Sequence, residues 1–214
     1  MTIRISPLPE FLIARYKRWK SNTYPSNFEI FQKLALEGQA PKSMIISCCD
    51  SRVNVSAIFG ETVGDFFIHR NIANLVPSLA NSADDLGTSA AIEYATKELR
   101  VNHLIVLGHT GCGGIRAAYD FQIKGKNSGY NFIHKWLEII TPAIKKISKD
   151  EPEDKQLYKL EEESIRNSLN NLYTFPNIKK ASENRSLSIH GLIYDIATGD
   201  LKYLNQSNQE FEKI

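Results

Sequence analysis

The chain has 214 residues, 42% of them hydrophobic, and 26 Lys and Arg against 24 Asp and Glu, for a formal net charge of +2. That length predicts one domain with ample material for a core, and so even a charge balance gives no electrostatic case for nucleic acid or a membrane surface as a partner. No apolar run reaches 18 residues, and the opening MTIRISPLPEFLIARYKRWK interrupts its apolar patch with prolines and charges, unlike a signal peptide, so a cytoplasmic location is expected.

Residues 9–37 are expected to be helical, with RYKRWK (15–20) supplying a solvated and a packing face rather than a nucleic-acid stripe. KSMIISC (42–48) and GDFFIHR (64–70) read as strands. Residues 82–100 place Leu86, Ile92, Ala95 and Leu99 at helical spacing behind a Ser/Asp cluster suited to capping. NHLIVLGH (102–109) is a short β-branched strand that ends in a glycine-rich turn before the helical IRAAYDFQIKG. Residues 130–173 are expected to be largely helical with breaks near Pro142 and Pro152, and 186–204 to form two strands around a turn at Thr198–Asp200. The polar residues 205–214 are expected to be a loosely held tail. This alternation predicts an α/β fold, a mostly parallel central sheet flanked by helices with an N-terminal helical arm. The expected single domain, 1–214, divides into an arm (1–38), a core (39–204) and the tail.

Two stretches carry chemistry. IISCCDSRVNV (45–55) sets two cysteines, an aspartate and an arginine at the end of an apolar strand. If the chain stays extended there, Cys48, Asp50 and Arg52 point one way and Cys49 and Ser51 the other. VLGHTGCGGIR (106–116) puts His109 and Cys112 on one short loop, with glycines that let the backbone turn tightly; it has neither the Gly-Lys-Ser/Thr of a P-loop nor a C-x5-R thiol-phosphatase loop. Three cysteines, an odd and low number, argue against a disulfide framework and for metal or catalytic thiols. Strand C-termini of a parallel sheet lie together at one crevice, so Cys48, His109 and Cys112 are expected to converge. Two thiolates and one imidazole suit Zn2+ and leave its fourth position open, as in catalytic sites. Cys49, facing away, is expected to be a buried small hydrophobe, the alternative being a closed four-ligand structural site.

The pair of signatures C-x-D-x-R (Cys48, Asp50, Arg52) and H-x-x-C (His109, Cys112) resembles the β-class carbonic anhydrases. The resemblance extends through FFIHRNIANLV, GTSAAIEYA and SLSIHGLIYDIATGDL. It is to the plant-like branch, where Gln39, Phe67 and Tyr94 hold the places of the substrate-pocket residues. A second branch carries a bicarbonate regulatory pocket with Trp where this chain has Ile45, although Arg70 and Tyr194 match its other members. The resemblance implies one Zn2+ per chain, reversible hydration of CO2 to bicarbonate and a proton by attack of zinc-bound hydroxide, Asp50 orienting that nucleophile, Arg52 holding Asp50 off the metal, and a homodimer or homotetramer. Two competing readings are a hydrolase of COS or CS2 using the same chemistry and a noncatalytic zinc- or anion-binding protein, which loss of Asp50 or Arg52 would favour; both residues are present. His69, His103, His134 and His190 are expected to be hydrogen-bonded structural imidazoles.

Overall fold

Strand β1 (Ser43–Cys48) is buried at all six residues, as expected of a near-continuous apolar segment in the middle of a parallel sheet. In this computed structural model, residues 3, 5–60, 62–126, 129 and 131–214 are described. They form two compact units, 1–39 and 40–214.

In the first unit, α1 (Glu10–Arg18) runs into a π-helical turn (Trp19–Thr23), a single turn α2 (Tyr24–Ser26), and α3 (Phe28–Glu37). The continuous helix expected over 9–37 is therefore interrupted. Pro25 cannot donate its share of the helical ladder, and Asn27 leaves helical geometry at φ −120°. The break is packed by rings: Trp19 lies edge-on to Tyr24 and Phe31, at 5.5 and 5.8 Å, and Tyr24 stacks on Phe31 at 5.1 Å. Gly38 ends α3 at φ 82°, a left-handed value open to glycine.

The second unit follows β1 with α4 (Val55–Phe59), β2 (Phe66–Asn71), α5 (Leu86–Glu93) and its π-turn (Tyr94–Glu98), β3 (His103–His109) and α6 (Gly113–Gln122). Then come α7 (Asn131–Leu137), α8 (Thr141–Ile144), α9 (Glu153–Leu172), α10 (Pro176–Glu183), β4 (Ser188–Tyr194), β5 (Leu201–Leu204) and β6 (Phe211–Lys213). The helical stretch expected from 130 breaks where anticipated, with Pro142 inside the first turn of α8 and Pro152 before α9; residue 130 lies outside the described residues. The sheet order is β2-β1-β3-β4-β5-β6. The first four strands are parallel and the last two antiparallel, which is the mostly parallel sheet the sequence predicts.

The expected loose tail is instead a strand. Glu212 pairs opposite Tyr203 in register and accepts hydrogen bonds from Tyr203 Oη and Asn205 Nδ2, both 2.9 Å. Polar composition suggested a solvated end, but an edge strand needs only one face covered. Here Phe211 supplies that face, under the Arg166 guanidinium at 4.9 Å.

One sheet face packs Met44, Ile46, Leu104 and Val106 against Ile92, Ala95, Ile165, Leu172 and Ile178 of the helices. The other face gathers Ile45, Leu107 and Leu192 with Val53 and Val55. Helix α9 packs directly over two glycines of the sheet. A Cβ on Gly108 would lie 2.7 Å from Ile165 Cδ1, and one on Gly191 would lie 2.9 Å from Leu169 Cδ1.

Candidate metal centre

Chain order reverses around β1: β2 lies on one side and β3 on the other. The C-terminal ends of β1 and β3 thus meet at the switch point, where open α/β sheets hold ligands. Ser47 pairs with Leu107, so Cys48 and His109 leave the sheet almost level, and the turn after β3 returns Cys112 beside them. Ligand atoms of Cys48, His109 and Cys112 all lie within 4.8 Å of one another, with the two sulfurs 3.9 Å apart. All three residues are buried, His109 to 1% exposure.

His109 Nδ1 is 3.0 Å from the Thr110 carbonyl oxygen. A carbonyl can only accept, so Nδ1 carries the proton and Nε2 presents a bare lone pair. That Nε2 is buried without a hydrogen-bond partner. A buried lone pair with no donor, facing two thiols, is the chemistry that a thiolate- and imidazole-seeking cation satisfies. The residues fit Zn2+. The two sulfurs are coupled: the hydrogen bond with Cys112 lowers the Cys48 pKa against burial, and the same bond, with burial, pushes the Cys112 thiol up. Burial works to lower the His109 pKa, but the neighbouring Cys48 sulfur, the Thr110 carbonyl and the Asp50 charge raise it overall.

After Cys48 the chain turns and does not stay extended. Val53 N donates to the Asp50 carbonyl at 3.0 Å, and Arg52 N to Asp50 Oδ1 at 3.0 Å. The expected one-face alignment of Cys48, Asp50 and Arg52 is therefore replaced by a fold-back, because Asp50 caps its own turn. Within it the Arg52 guanidinium grips the carboxylate at both oxygens, Nε to Oδ1 at 2.9 Å and Nη2 to Oδ2 at 2.7 Å. Nη2 also bonds the Gly111 carbonyl at 3.0 Å, tying this turn to the His109–Cys112 loop. Hydrogen bonds from Arg52 hold the Asp50 carboxyl well below the usual carboxylate range. Oδ2 lies 3.8 Å from His109 Nε2. Cys49, expected to be buried, is exposed: the turn that begins behind it points its thiol to the surface.

Two contacts escaped sequence reasoning. Arg70 donates from Nε to the Cys48 carbonyl at 2.9 Å and from Nη2 to the carbonyls of Asp50 and Val53, at 2.8 and 2.9 Å; its guanidinium clasps the loop backbone. Glu161 of α9, 6% exposed, accepts a hydrogen bond from Cys112 N at 2.9 Å. Burial raises its pKa to about 7 despite that bond. It forms one wall of a cavity of about 470 Å³ that Cys112, Arg116, Leu157 and Tyr158 also line. The sole signal available was a carboxylate on the apolar stripe of α9, between Leu160 and Ile165.

Two of the expected substrate residues, Phe67 and Tyr94, stand apart from the metal ligands. Phe67 and Tyr94 meet each other, ring centres 5.8 Å apart, with Tyr94 47% exposed. Phe67 is in register with Met44, and Asn71 with Cys48, so Phe67 sits four residues, roughly 13 Å, back along the strand from the metal ligands. Gln39 is exposed at the end of the first unit. Of the other histidines, His69 Nε2 bonds Thr88 Oγ1 at 3.1 Å, His134 stacks on Phe121 with ring centres 4.0 Å apart, and His103 and His190 face one another.

Comparison with known proteins gives one family. A family model described as "Carbonic anhydrase" matches residues 43–201. The chain is 37% identical over 184 residues to "Beta carbonic anhydrase 5, chloroplastic" of Arabidopsis thaliana, covering 85% of this chain and 60% of that protein. Among solved structures, the β-carbonic anhydrase CcaA superposes with a TM-score of 0.87 at 28% identity, over 96% of this chain and 91% of that one. A tetrameric β-carbonic anhydrase of the ascomycete Sordaria macrospora gives 0.77 at 30% identity, over 92% and 96%. Among the described residues no helix is long and apolar enough to cross a membrane.

Proposed function

Because the chain belongs to the β-carbonic anhydrase family, we propose that it catalyses the reversible hydration of CO2 to bicarbonate and a proton, with Zn2+ held by Cys48, His109 and Cys112. The observation that carries this reading is the buried, unpartnered Nε2 of His109 beside two thiols. When bound, Zn2+ supplies a Lewis acid that lowers the pKa of water at its open position, making a nucleophile for an electrophilic carbon. The chain's own residues do the rest. Asp50 is ionised throughout the neutral range and can only accept, so a hydrogen bond to Oδ2 fixes the direction in which the nucleophile's remaining lone pair points. Arg52 keeps that oxygen oriented and off the ligands, and Arg70 keeps the loop from opening.

Phe67 and Tyr94 are the apolar wall, which a nonpolar substrate favours, and Gln39 is an amide donor to a substrate oxygen. The roughly 13 Å offset along β2 supports a wall supplied by a second copy of the chain, hence a homodimer or a homotetramer built from it; the Sordaria macrospora relative is described as tetrameric. Three free thiols suit the reducing cytoplasm.

Stopped-flow CO2 hydration on a preparation of measured zinc content tests the activity, and COS supplied to the same protein tests the neighbouring chemistry. Mixing Arg52→Ala chains with Tyr94→Ala chains tests the shared site. A mixed dimer with sites built across copies has one intact site and regains activity; if each site is built within one chain, the mixture stays inactive.

A further inference from the structure

Far from the metal centre, two imidazoles face each other on neighbouring parallel strands. His103 opens β3 opposite Ser188, and Ile105 pairs with His190, so the two histidines are diagonal neighbours on one sheet face. His103 Nδ1 lies 3.1 Å from His190 Nε2, with ring centres 5.3 Å apart and planes inclined by 41°. Both residues are exposed. His103 and His109 sit at opposite ends of β3, roughly 20 Å apart at the rise of a strand, so nothing at this pair belongs to the reaction proposed above.

We propose that His103 and His190 form a second metal site, a two-imidazole chelate for a borderline divalent transition ion, with water completing the coordination. Two bonds of about 2.0–2.1 Å, set between a right angle and a tetrahedral angle, place their nitrogens roughly 2.9–3.4 Å apart. The observed spacing lies in that window. In the metal-free pair one nitrogen donates its proton to the other. Binding requires that each ring carry its proton on the far nitrogen, Nε2 of His103 and Nδ1 of His190, and that the rings turn so that both lone pairs meet at the ion; both stay neutral. Desolvation of the covered side of the His190 ring, and then the neighbouring His103, lower its pKa, which favours the neutral, ligating form. Among the described residues no third His, Cys, Asp or Glu completes a cluster here. The site therefore selects against Mg2+ and Ca2+, which seek oxygen ligands, and binds more weakly than the three-ligand centre.

The test is calorimetric titration of the zinc-loaded protein with Ni2+. The expected result is one Ni2+ per chain beyond the resident zinc, no zinc release, and no heat with Mg2+. His103→Asn and His190→Gln, both at exposed positions, should each weaken Ni2+ binding about tenfold or more, as loss of a metal-supporting group does, while Cys49→Ser leaves it unchanged. In the wild type, paramagnetic Ni2+ should broaden the imidazole resonances of His103 and His190 before those of the other histidines, a readout that needs no variant. Absence of Ni2+ uptake, uptake that survives both histidine changes, uptake lost in Cys49→Ser, or broadening confined to other histidines would each refute the site.

Discussion

Truncating Arg52 to alanine isolates what the Asp50 clasp contributes. The Asp50 carboxylate has three donors within its turn: Arg52 Nε and the Arg52 backbone N–H on Oδ1, and Arg52 Nη2 on Oδ2. The backbone donor survives in Arg52→Ala, so Oδ1 stays tethered. Oδ2 loses its Arg52 donor, and it is the oxygen 3.8 Å from His109 Nε2. A rotation about one side-chain bond would carry it into the position that the nucleophile needs. Zinc should remain, since no ligand is touched, while CO2 hydration falls by about 10²-fold, the upper range for loss of a group that orients a metal site. Arg52→Lys should fall between, because an ammonium makes the pairing without the two-pronged geometry. Stopped-flow hydration at matched zinc content measures the loss, and a crystal structure of the variant should show Asp50 on the metal. An Arg52→Ala protein with full zinc and near-normal hydration would show that the clasp is only structural.

Replacing Cys48, His109 or Cys112 with alanine should each release zinc, whereas Cys49→Ala, changing an exposed thiol, should retain it; native mass spectrometry counts the metal, and equal loss in Cys49→Ala would overturn the ligand set. Glu161→Leu leaves the buried Cys112 N–H without an acceptor, at a cost of about 1–3 kcal/mol, so urea unfolding should shift by that amount and zinc should transfer faster to a chelator. Glu161→Gln, which keeps an oxygen acceptor, should recover most of both, and unchanged unfolding in Glu161→Leu would dismiss the contact. Gly108→Ala drives a methyl into Ile165 and should destabilise the fold by about 1–3 kcal/mol, read as a lowered melting temperature; a neutral result would mean that α9 shifts freely. The folded-state pKa of Asp50 is depressed, so the stabilisation from its pairing is complete above about 3.9, its unfolded value, and fades only as pH falls through the lower folded value. Acid release of zinc at higher pH must then come from the ligands, and Asp50→Asn should leave its midpoint unmoved in a zinc-indicator titration.

The sheet and the ligand triad were legible in the sequence because each rests on a local pattern. Apolar runs such as SMIISC and HLIVLGH state their own strands, and strand ends in a parallel sheet must converge. What followed Cys48 was not legible by alternation, since a side chain that bonds its own backbone two residues on, as Asp50 does with Arg52 N, ends the strand period without any glycine or proline to announce it. Arg70 and Glu161 were missed for a different reason. Both bond to backbone, and a backbone partner leaves no residue-type signature at the other end. The split of the N-terminal helix was signalled by Pro25, but its apolar periodicity continues through the break to Phe31 and masks it.

The short strand at Phe211–Lys213 has a consequence for handling the protein. Without it β5 would be the rim of the sheet, with Leu201 and Tyr203 presenting open backbone groups, the surface on which unrelated strands stack and chains polymerise. The last ten residues, dispensable by composition, cover β5 with an edge strand of only three residues, and Lys213 salt-bridges to Asp200 at 2.7 Å. Shortening the chain at Leu204 would leave the metal centre's own residues intact and yield a protein that is lost to precipitation before it can be assayed.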